Sequence, residues 1–196
     1  MEPTTPNKAQ AADTSDTPSG TPSKPRLSLS IYKGNIFAAP PQTLLIHACN
    51  TQGSWSAGIA LAFKQRYPEA FKIYRAYCTL THNPSSNPVR IGTCLLIPPA
   101  EKDGKPKHWI GCLFTSAKYG KRKDPPAVIV ANTAPAMKDC FKKVKQVGGA
   151  VRGVRLCKIN SARFRVPWER TLEALEGIEI EEGWFGKAEV WTIDED

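Results

Sequence analysis

The sequence contains no apolar run long enough to cross a membrane as a helix. It has no apolar segment of the secretory type ahead of its cysteines, and no two cysteines stand in a Cys-x-x-Cys spacing. We therefore expect the six cysteines to be reduced and mostly buried thiols of an intracellular protein, cytoplasmic or nuclear or both. The three histidines do not pair with cysteines at ligand spacing, so the sequence indicates no zinc site.

Charge is distributed unevenly along the chain of 196 residues, whose net charge is +9. Residues 1–26 are neutral overall and residues 169–196 carry −8, so residues 27–168 carry +17. A surplus of this size favours an anionic ligand, either a nucleotide or a nucleic acid. The alternative interpretation is a solvated basic surface that keeps the protein in solution.

The chain divides into a tail and one domain. Residues 1–26 are rich in Thr, Pro, Ser and Ala, with too little apolar surface to order themselves, so we predict a disordered tail followed by a domain over residues 27–196. Strands are predicted at 27–33, 91–97, 108–114, 154–159 and 187–193, and helices at 59–67, 68–77, 127–147 and 167–176. Pro135 predicts a kink in the third helix or a helix start near Asn132 or Thr133. The alternation indicates an α/β fold with a mostly parallel sheet and helices on both faces.

The central stretch of the domain is residues 43–60. An apolar strand begins at Leu44 and ends in the polar residues His47 and Asn50, small residues follow to Gly58, and a helix then starts. A helix start offers unpaired N–H groups, and small residues let the backbone approach a ligand closely, so this pattern is typical of an anion cradle. A tight turn that uses its glycines for geometry alone is the alternative.

A second strand–loop–helix unit covers residues 154–176. Its loop contains Asn160, Ser161, Arg163 and Arg165 and leads into a helix at Pro167. Ligands of parallel sheets bind beyond the carboxyl ends of the strands, where we expect both loops to lie. Two cradles that face one cleft suit a diphosphate better than a single phosphate.

Short motifs along nearly the whole domain resemble the macrodomain, an ADP-ribose-binding three-layer αβα fold with a mixed, mostly parallel sheet. More narrowly they resemble the fungal ADP-ribose 1''-phosphate phosphatases, and the combination of His-x-Cys-Asn with Gly-Ser-Trp is the most specific part. The matching segments are Lys33-Gly34-Asn35-Ile36, Ile46-His47-Ala48-Cys49-Asn50, Gly53-Ser54-Trp55, Gly58-Ile59-Ala60, Arg66-Tyr67-Pro68, Leu113-Phe114-Thr115-Ser116, Ile159-Asn160-Ser161 and Val166-Pro167-Trp168.

The resemblance implies a phosphatase that converts ADP-ribose 1''-phosphate, a by-product of tRNA splicing, into ADP-ribose and phosphate. The sequence shows no metal-binding cluster, so we expect a reaction without a metal or other cofactor. It places adenine at Asn35 and Ile36, the distal ribose at Asn50, and the diphosphate between the two loops. His47 and Asn50 are the implied catalytic residues, with a buried histidine bonded to backbone as the alternative for His47. The implied substrate-binding residues are Gly34, Asn35, Ile36, Ala48, Cys49, Asn50, Trp55, Ser56, Ala57, Gly58, Ile59, Ala60, Asn160, Ser161, Ala162, Arg163, Phe164, Arg165 and Val166.

The chain departs from the family pattern in the second loop, where Ala162 and Arg165 replace glycines that can hold a positive φ. The two arginines of this loop either clamp phosphate oxygens or obstruct the pocket, and we expect Arg163 to point outward and Arg165 to lie near the pocket. A hydrolase that removes ADP-ribose from proteins and a non-catalytic binder of ADP-ribose or nucleic acid are the alternative functions. We further expect a monomer, no membrane partner, and weak, non-specific nucleic-acid binding at most.

Overall fold

The computed structural model describes residues 24–102 and 107–193, and within them six strands form one sheet in the order β1-β6-β5-β2-β4-β3. All neighbouring strands are parallel except β3 and β4, which are antiparallel. The predicted mostly parallel sheet is therefore confirmed. The strands are β1 (Ser28–Lys33), β2 (Thr43–Asn50), β3 (Thr93–Ile97), β4 (Trp109–Ser116), β5 (Gly153–Leu156) and β6 (Lys187–Thr192).

Helices cover both faces of the sheet. They are α1 (Gly58–Arg66), α2 (Pro68–Ala76), α3 (Pro126–Gln146) and α4 (Trp168–Glu176), with short 3₁₀ turns at Ile36–Ala38 and Gly120–Arg122 and a π turn at Tyr77–Thr81. One core layer joins the sheet to α1 and α2 through Phe63 and Tyr74, and the other joins it to α3 and α4 through Phe141 and Leu175. None of the helices in the described ranges is both long and apolar enough to cross a bilayer.

Strand β2 lies at the centre because both of its faces are buried. Leu44 and Ile46 pack in the α3/α4 layer, and Leu45 and Cys49 pack in the α1/α2 layer. Successive side chains of a strand point to opposite faces, so a continuous apolar run is what a strand covered on both sides requires. The strand runs from Thr43 to Asn50, which places its last residue at the carboxyl edge of the sheet.

Three sequence-based expectations about the elements need correction. Helix α3 is continuous from Pro126 to Gln146, so no helix starts near Asn132 or Thr133, and the kink at Pro135 stays a prediction. The alternation of Leu27, Leu29 and Ile31 with serines predicts a half-buried strand, but β1 is an exposed edge strand in which Ile31 is 47% exposed. The ordered domain begins before Leu27, since the Pro25 carbonyl accepts the Ile180 N–H. The predicted disorder of residues 1–23 lies outside the described residues.

His108, just before β4, links three segments of the chain. Its Nδ1 lies 2.7 Å from the Tyr67 hydroxyl and its Nε2 lies 2.8 Å from the Ala39 carbonyl oxygen. A carbonyl oxygen only accepts, so Nε2 carries the proton and Nδ1 accepts from Tyr67. Burial is the main cause that lowers the pKa of His108, which is 4% exposed.

We expect His108→Gln to reduce the loss of stability on acidification. The pKa of His108 is lower in the folded protein than the value of about 6.5 in an unfolded chain, so the unfolded chain takes up the proton first as the pH falls. The stabilisation is therefore complete above about pH 6.5 and declines below it. Urea unfolding at about pH 7.5 and pH 5.5 measures the difference for each variant. His82→Gln is the control, and an equal pH dependence in wild type and His108→Gln would contradict the argument.

Candidate active site

The two strand–loop–helix units meet at one edge of the sheet, as the sequence predicted. Strands β2 and β5 are parallel neighbours, so the loops that follow them leave the same edge. The Arg163 side chain of the second loop lies against Gly58 at the start of α1, where an added Cβ would stand 3.3 Å from its Cγ and 3.5 Å from its Nε. The two loops are therefore in contact, and they would form the two walls of the cleft that the sequence predicts.

The first wall leads into helix α1, and the N-terminus of this helix has no side-chain cap. Ala57, the N-cap residue of α1, has no side-chain oxygen to accept a helix N–H, and Ser56 beside it is exposed. Gly58 has a φ of +57°, which an L residue adopts only under strain. An uncapped helix N-terminus offers N–H groups and a partial positive charge, so this wall suits a phosphate oxygen.

Asn50 shapes the first loop with its side chain. Its Oδ1 accepts the N–H groups of Gln52 (2.9 Å) and Ser54 (3.4 Å), and its Nδ2 donates to the Ser54 carbonyl at 2.6 Å. The Asn50 amide therefore has a structural role in this loop. The roles of Asn50 in ribose binding and catalysis stay predictions.

Asn160 anchors the second loop and does not direct its amide into the cleft. The buried amide accepts the Thr115 hydroxyl and donates to the Thr133 hydroxyl, each at 2.9 Å, and the Asn160 carbonyl accepts the Val166 N–H at 3.1 Å. This corrects the expectation that the Asn160 side chain binds substrate. The bonds tie the loop to β4 and α3, so Asn160 is a positioning residue.

We expect Asn160→Ala to destabilise the protein by about 2–4 kcal/mol, because two buried hydrogen bonds are lost and alanine is strained at the φ of 66°. Denaturant unfolding measures this change. Asn160→Gly is the matched control, since glycine adopts this φ freely and isolates the loss of the amide. A loss below about 0.5 kcal/mol in Asn160→Ala would show that the two threonines find other partners.

The rest of the second loop divides into buried anchors and exposed arginines. The side chains of Phe164 and Val166 pack with Ile129 under the loop, so only their backbone could contact substrate, and their substrate binding stays a prediction. Arg165 has a φ of +56° and so holds the predicted backbone strain, whereas Ala162 does not have a positive φ. Arg163 faces the first loop, contrary to the expected outward direction.

The segment after β1 lies at the same edge. Gly34 has a φ of +142° and leaves room for Trp191, whose ring atom would be 2.9 Å from an added Cβ. Asn35 caps the following turn, where its Oδ1 accepts the Phe37 N–H at 2.9 Å, and Ile36 is buried. The Asn35 amide oxygen keeps a second lone pair that can accept from an amine, as its predicted adenine contact requires.

His47 lies inside the core and not in the cleft. It is fully buried on β2, its ring stacks on Phe63 at 4.2 Å between centroids, and it meets Trp55 edge-on at 4.7 Å. A ring without solvent contact cannot exchange protons with a substrate, which corrects its prediction as a general acid or base. The alternative role, a ring hydrogen-bonded to backbone, is also wrong. Among the described residues, the hydrogen-bonding neighbour of both ring nitrogens is Cys49 Sγ, at 3.6 Å.

Trp55 and Cys49 complete this part of the core. Trp55 is 1% exposed and stacks on Tyr74 at 4.9 Å, so its indole packs in the core, whereas the resemblance implied that it binds substrate. Burial acts to raise the pKa of the Cys49 thiol, but the Cys112 thiol and His47 beside it lower that pKa to about 6. Ala48, Ala57, Ile59 and Ala60 are partly exposed near the edge.

Comparison with known proteins agrees with this architecture. The family model described as Macro domain matches residues 46–175. An ADP-ribose 1''-phosphate phosphatase of Chaetomium globosum is 45% identical over 167 residues, 81% of this chain and 88% of that protein. A protein of the same name from Aspergillus fumigatus is 39% identical over 190 residues, 81% of this chain and 95% of that one. The chain belongs to the macrodomain family.

Solved structures support the macrodomain fold at lower sequence identity. The macrodomain of Thermus aquaticus DarG has a TM-score of 0.60 and 23% identity, with 85% of this chain and 98% of that chain covered. Thermosipho africanus DarTG in complex with ADP-ribose has a TM-score of 0.63 and 13% identity, with 86% and 43% covered. These identities establish the fold and carry no residue roles.

Asp124 lies beside the candidate site of this macrodomain, and the sequence pattern did not identify it. Its Oδ2 accepts the Ala117 N–H at 2.5 Å and lies 2.9 Å from the Ser116 hydroxyl, and Ser116 pairs with Asn50 across β4 and β2. Asp124 thereby fixes the loop that follows β4 at the edge where the two cleft loops lie. The available signal was its position as the one acidic residue in the basic stretch 115–126.

Proposed function

We propose that this macrodomain is an enzyme that hydrolyses ADP-ribose 1''-phosphate to ADP-ribose and phosphate. The observation that carries the proposal is the contact of Arg163 with Gly58, which places a guanidinium side chain beside the uncapped start of α1. The names of the two fungal relatives, similar over most of their length, support the same substrate.

The cleft acts mainly by holding phosphate. Phosphoryl transfer depends on positioning and on stabilising charge on the phosphoryl oxygens. The N–H groups at the start of α1 would bind the diphosphate, and the Arg163 guanidinium would neutralise charge beside it. Because His47 is buried, the attacking water would be positioned by the loops and Asn50.

The direct test is to incubate the purified protein with ADP-ribose 1''-phosphate and to measure free phosphate. We expect release that saturates with substrate, and one-to-one binding of ADP-ribose by calorimetry. Asn50→Ala should weaken that binding by about 1–3 kcal/mol. Binding without phosphate release would reject the phosphatase. Release of ADP-ribose from a modified protein would then favour the hydrolase. If no ADP-ribose is released either, the non-catalytic binding module is favoured.

We expect Arg165→Gly to lower the phosphatase rate while ADP-ribose binding is kept. Glycine relieves the strain of a φ of +56°, so the variant should be as stable as wild type or more stable by up to about 1 kcal/mol. Loss of the guanidinium removes a charge that would act on the terminal phosphate. Steady-state kinetics and calorimetry on the same preparation separate the two effects. A rise in both rate and affinity would show that Arg165 obstructs the site.

The remaining partner expectations belong to the same proposal. We infer a monomer, cytoplasmic or nuclear or both, that has no membrane partner and holds nucleic acid only weakly. The loop with Lys118, Lys121, Arg122 and Lys123 follows β4 at the cleft edge. The other lysine-rich loop, residues 99–107, lies partly outside the described residues. Binding through scattered phosphate contacts falls steeply with salt, so it should vanish near physiological ionic strength.

A further inference from the structure

Three soft donor groups converge in the α1/α2 core layer, beneath the cleft. His47 and Cys49 lie on β2 and Cys112 lies on β4, and each is at most 2% exposed. A ring nitrogen and the two sulfur atoms lie within 4.8 Å of one another. This is the one such group within residues 24–102 and 107–193, and the proposed phosphatase reaction does not use it.

The fold creates this cluster from distant parts of the chain. Residues two apart on a strand share a face, which brings His47 and Cys49 to the same side of β2. The parallel register sets His47 opposite Cys112 of β4. Both strands are buried on both faces, so the three donors are held at fixed backbone positions. The sequence did not indicate a metal site because Cys112 is far from the other two along the chain.

The surroundings leave these polar groups short of partners. The neighbours are the rings of Trp55, Phe63 and Tyr74, and the His47 nitrogens have only the Cys49 thiol, at 3.6 Å, within hydrogen-bonding distance in the described structure. Within the described residues the buried Trp55 Nε1–H makes no hydrogen bond of ordinary geometry, and the Cys49 sulfur is its weak acceptor. A buried polar group without a good partner costs about 1–3 kcal/mol, so a cluster of this kind requires an explanation.

We propose that His47, Cys49 and Cys112 bind one thiophilic closed-shell cation, Zn²⁺ or Cu⁺. Two thiolates and one imidazole are of the ligand type that both ions prefer; three donors suffice for Cu⁺, whereas Zn²⁺ would need a fourth ligand beyond these three. For metal–ligand distances of about 2.0–2.3 Å, the three donor atoms must approach one another by about 1 Å. The imidazole must also turn one nitrogen toward the ion. Two thiolates with Zn²⁺, or one thiolate with Cu⁺, give a neutral site, which the apolar layer can bury.

The bound ion would be structural. Each thiol that becomes a thiolate releases its proton to solvent as the metal–sulfur bond forms, so affinity would rise with pH. The buried position gives substrate no access to the ion. The ion would join β2 to β4 directly below the strand end that carries Asn50, and so stabilise the floor of the cleft.

The test is to refold the full chain from denaturant with Zn²⁺, with Cu⁺ under reducing conditions, or with a chelator. We expect one retained metal per chain, measured by elemental analysis after desalting, and a higher thermal midpoint than in the chelator sample. Co²⁺ refolding should give a thiolate-to-cobalt charge-transfer band. The Zn²⁺ and Cu⁺ arms decide which ion is held more tightly.

Matched variants assign the ligands. Cys112→Ser and His47→Phe should lower metal affinity at least about tenfold. Cys94→Ser should not, since Cys94 is equally buried on the neighbouring strand β3 but packs in the opposite layer. No metal retained by the wild type, or equal retention by Cys112→Ser and Cys94→Ser, would overturn the proposal. Neither readout depends on phosphatase activity.

Discussion

Gly58→Val should weaken ADP-ribose binding by at least about tenfold, or 1.4 kcal/mol. Gly58 has a φ of +57°, and a β-branched side chain at a positive φ is a strong outlier. Its Cβ would also stand 3.3 Å from Arg163 Cγ, so valine would displace the arginine that joins the two walls of the cleft. Calorimetry with ADP-ribose and phosphate release with the phosphorylated substrate measure the effect.

Gly148→Val is the control for the backbone strain alone. Gly148 has nearly the same φ, +58°, and nothing lies within 4 Å of its Cβ position at the end of α3. Both variants should lose about 1–2 kcal/mol of stability, but Gly148→Val should bind ADP-ribose like wild type. Equal affinities in the two variants would mean that the start of α1 does not form part of the ligand site.

Trp55→Ala should have the largest effect on stability, about 3–5 kcal/mol. The ring is 1% exposed and contacts His47, Phe71 and Tyr74 at centroid distances of 4.7, 5.6 and 4.9 Å. Its removal leaves a cavity between β2 and the helices α1 and α2. For a domain of this size the loss lowers the thermal midpoint by about 10 °C or more, which scanning calorimetry measures.

Trp55→Phe distinguishes a structural tryptophan from one that covers the ligand. Within the described residues the Trp55 Nε1–H makes no hydrogen bond of ordinary geometry and interacts only weakly with the Cys49 sulfur. Phenylalanine therefore gives up little besides part of the ring, and we expect a loss of only about 1–2 kcal/mol. ADP-ribose affinity should stay within about twofold of wild type. A tenfold loss of affinity in a folded Trp55→Phe protein would place the indole against the ligand.

The elements and the cleft position could be predicted because they follow from local pattern. The apolar run from Leu44 predicted a strand covered on both faces, and Pro68 predicted the break between α1 and α2. Two strand–loop–helix units predicted loops at one edge, since parallel strands all present their carboxyl ends there. The Arg163 contact with Gly58 shows that they meet.

The roles of individual polar residues could not be predicted from local pattern. Asn50 ends a strand and Asn160 follows one, both beside loops, yet the Asn50 amide bonds its own loop and the Asn160 amide bonds Thr115 and Thr133. In the sequence, His47 is a polar residue near a strand end, which suggests an exposed side chain. In the structure, the rings of Trp55 and Phe63 enclose it. Each outcome depends on residues that only the folded chain brings near.

The sequence by itself determined the strand and helix pattern, the parallel sheet and the edge that carries the anion cradle, because these depend on side-chain periodicity and on chain direction. Only the tertiary structure decided which donors face the cleft and which the core, because neighbours on other strands and helices set burial and hydrogen bonding. The register that sets Cys112 opposite His47 is the clearest case: two residues far apart along the chain become neighbours through a strand pairing that no local pattern encodes.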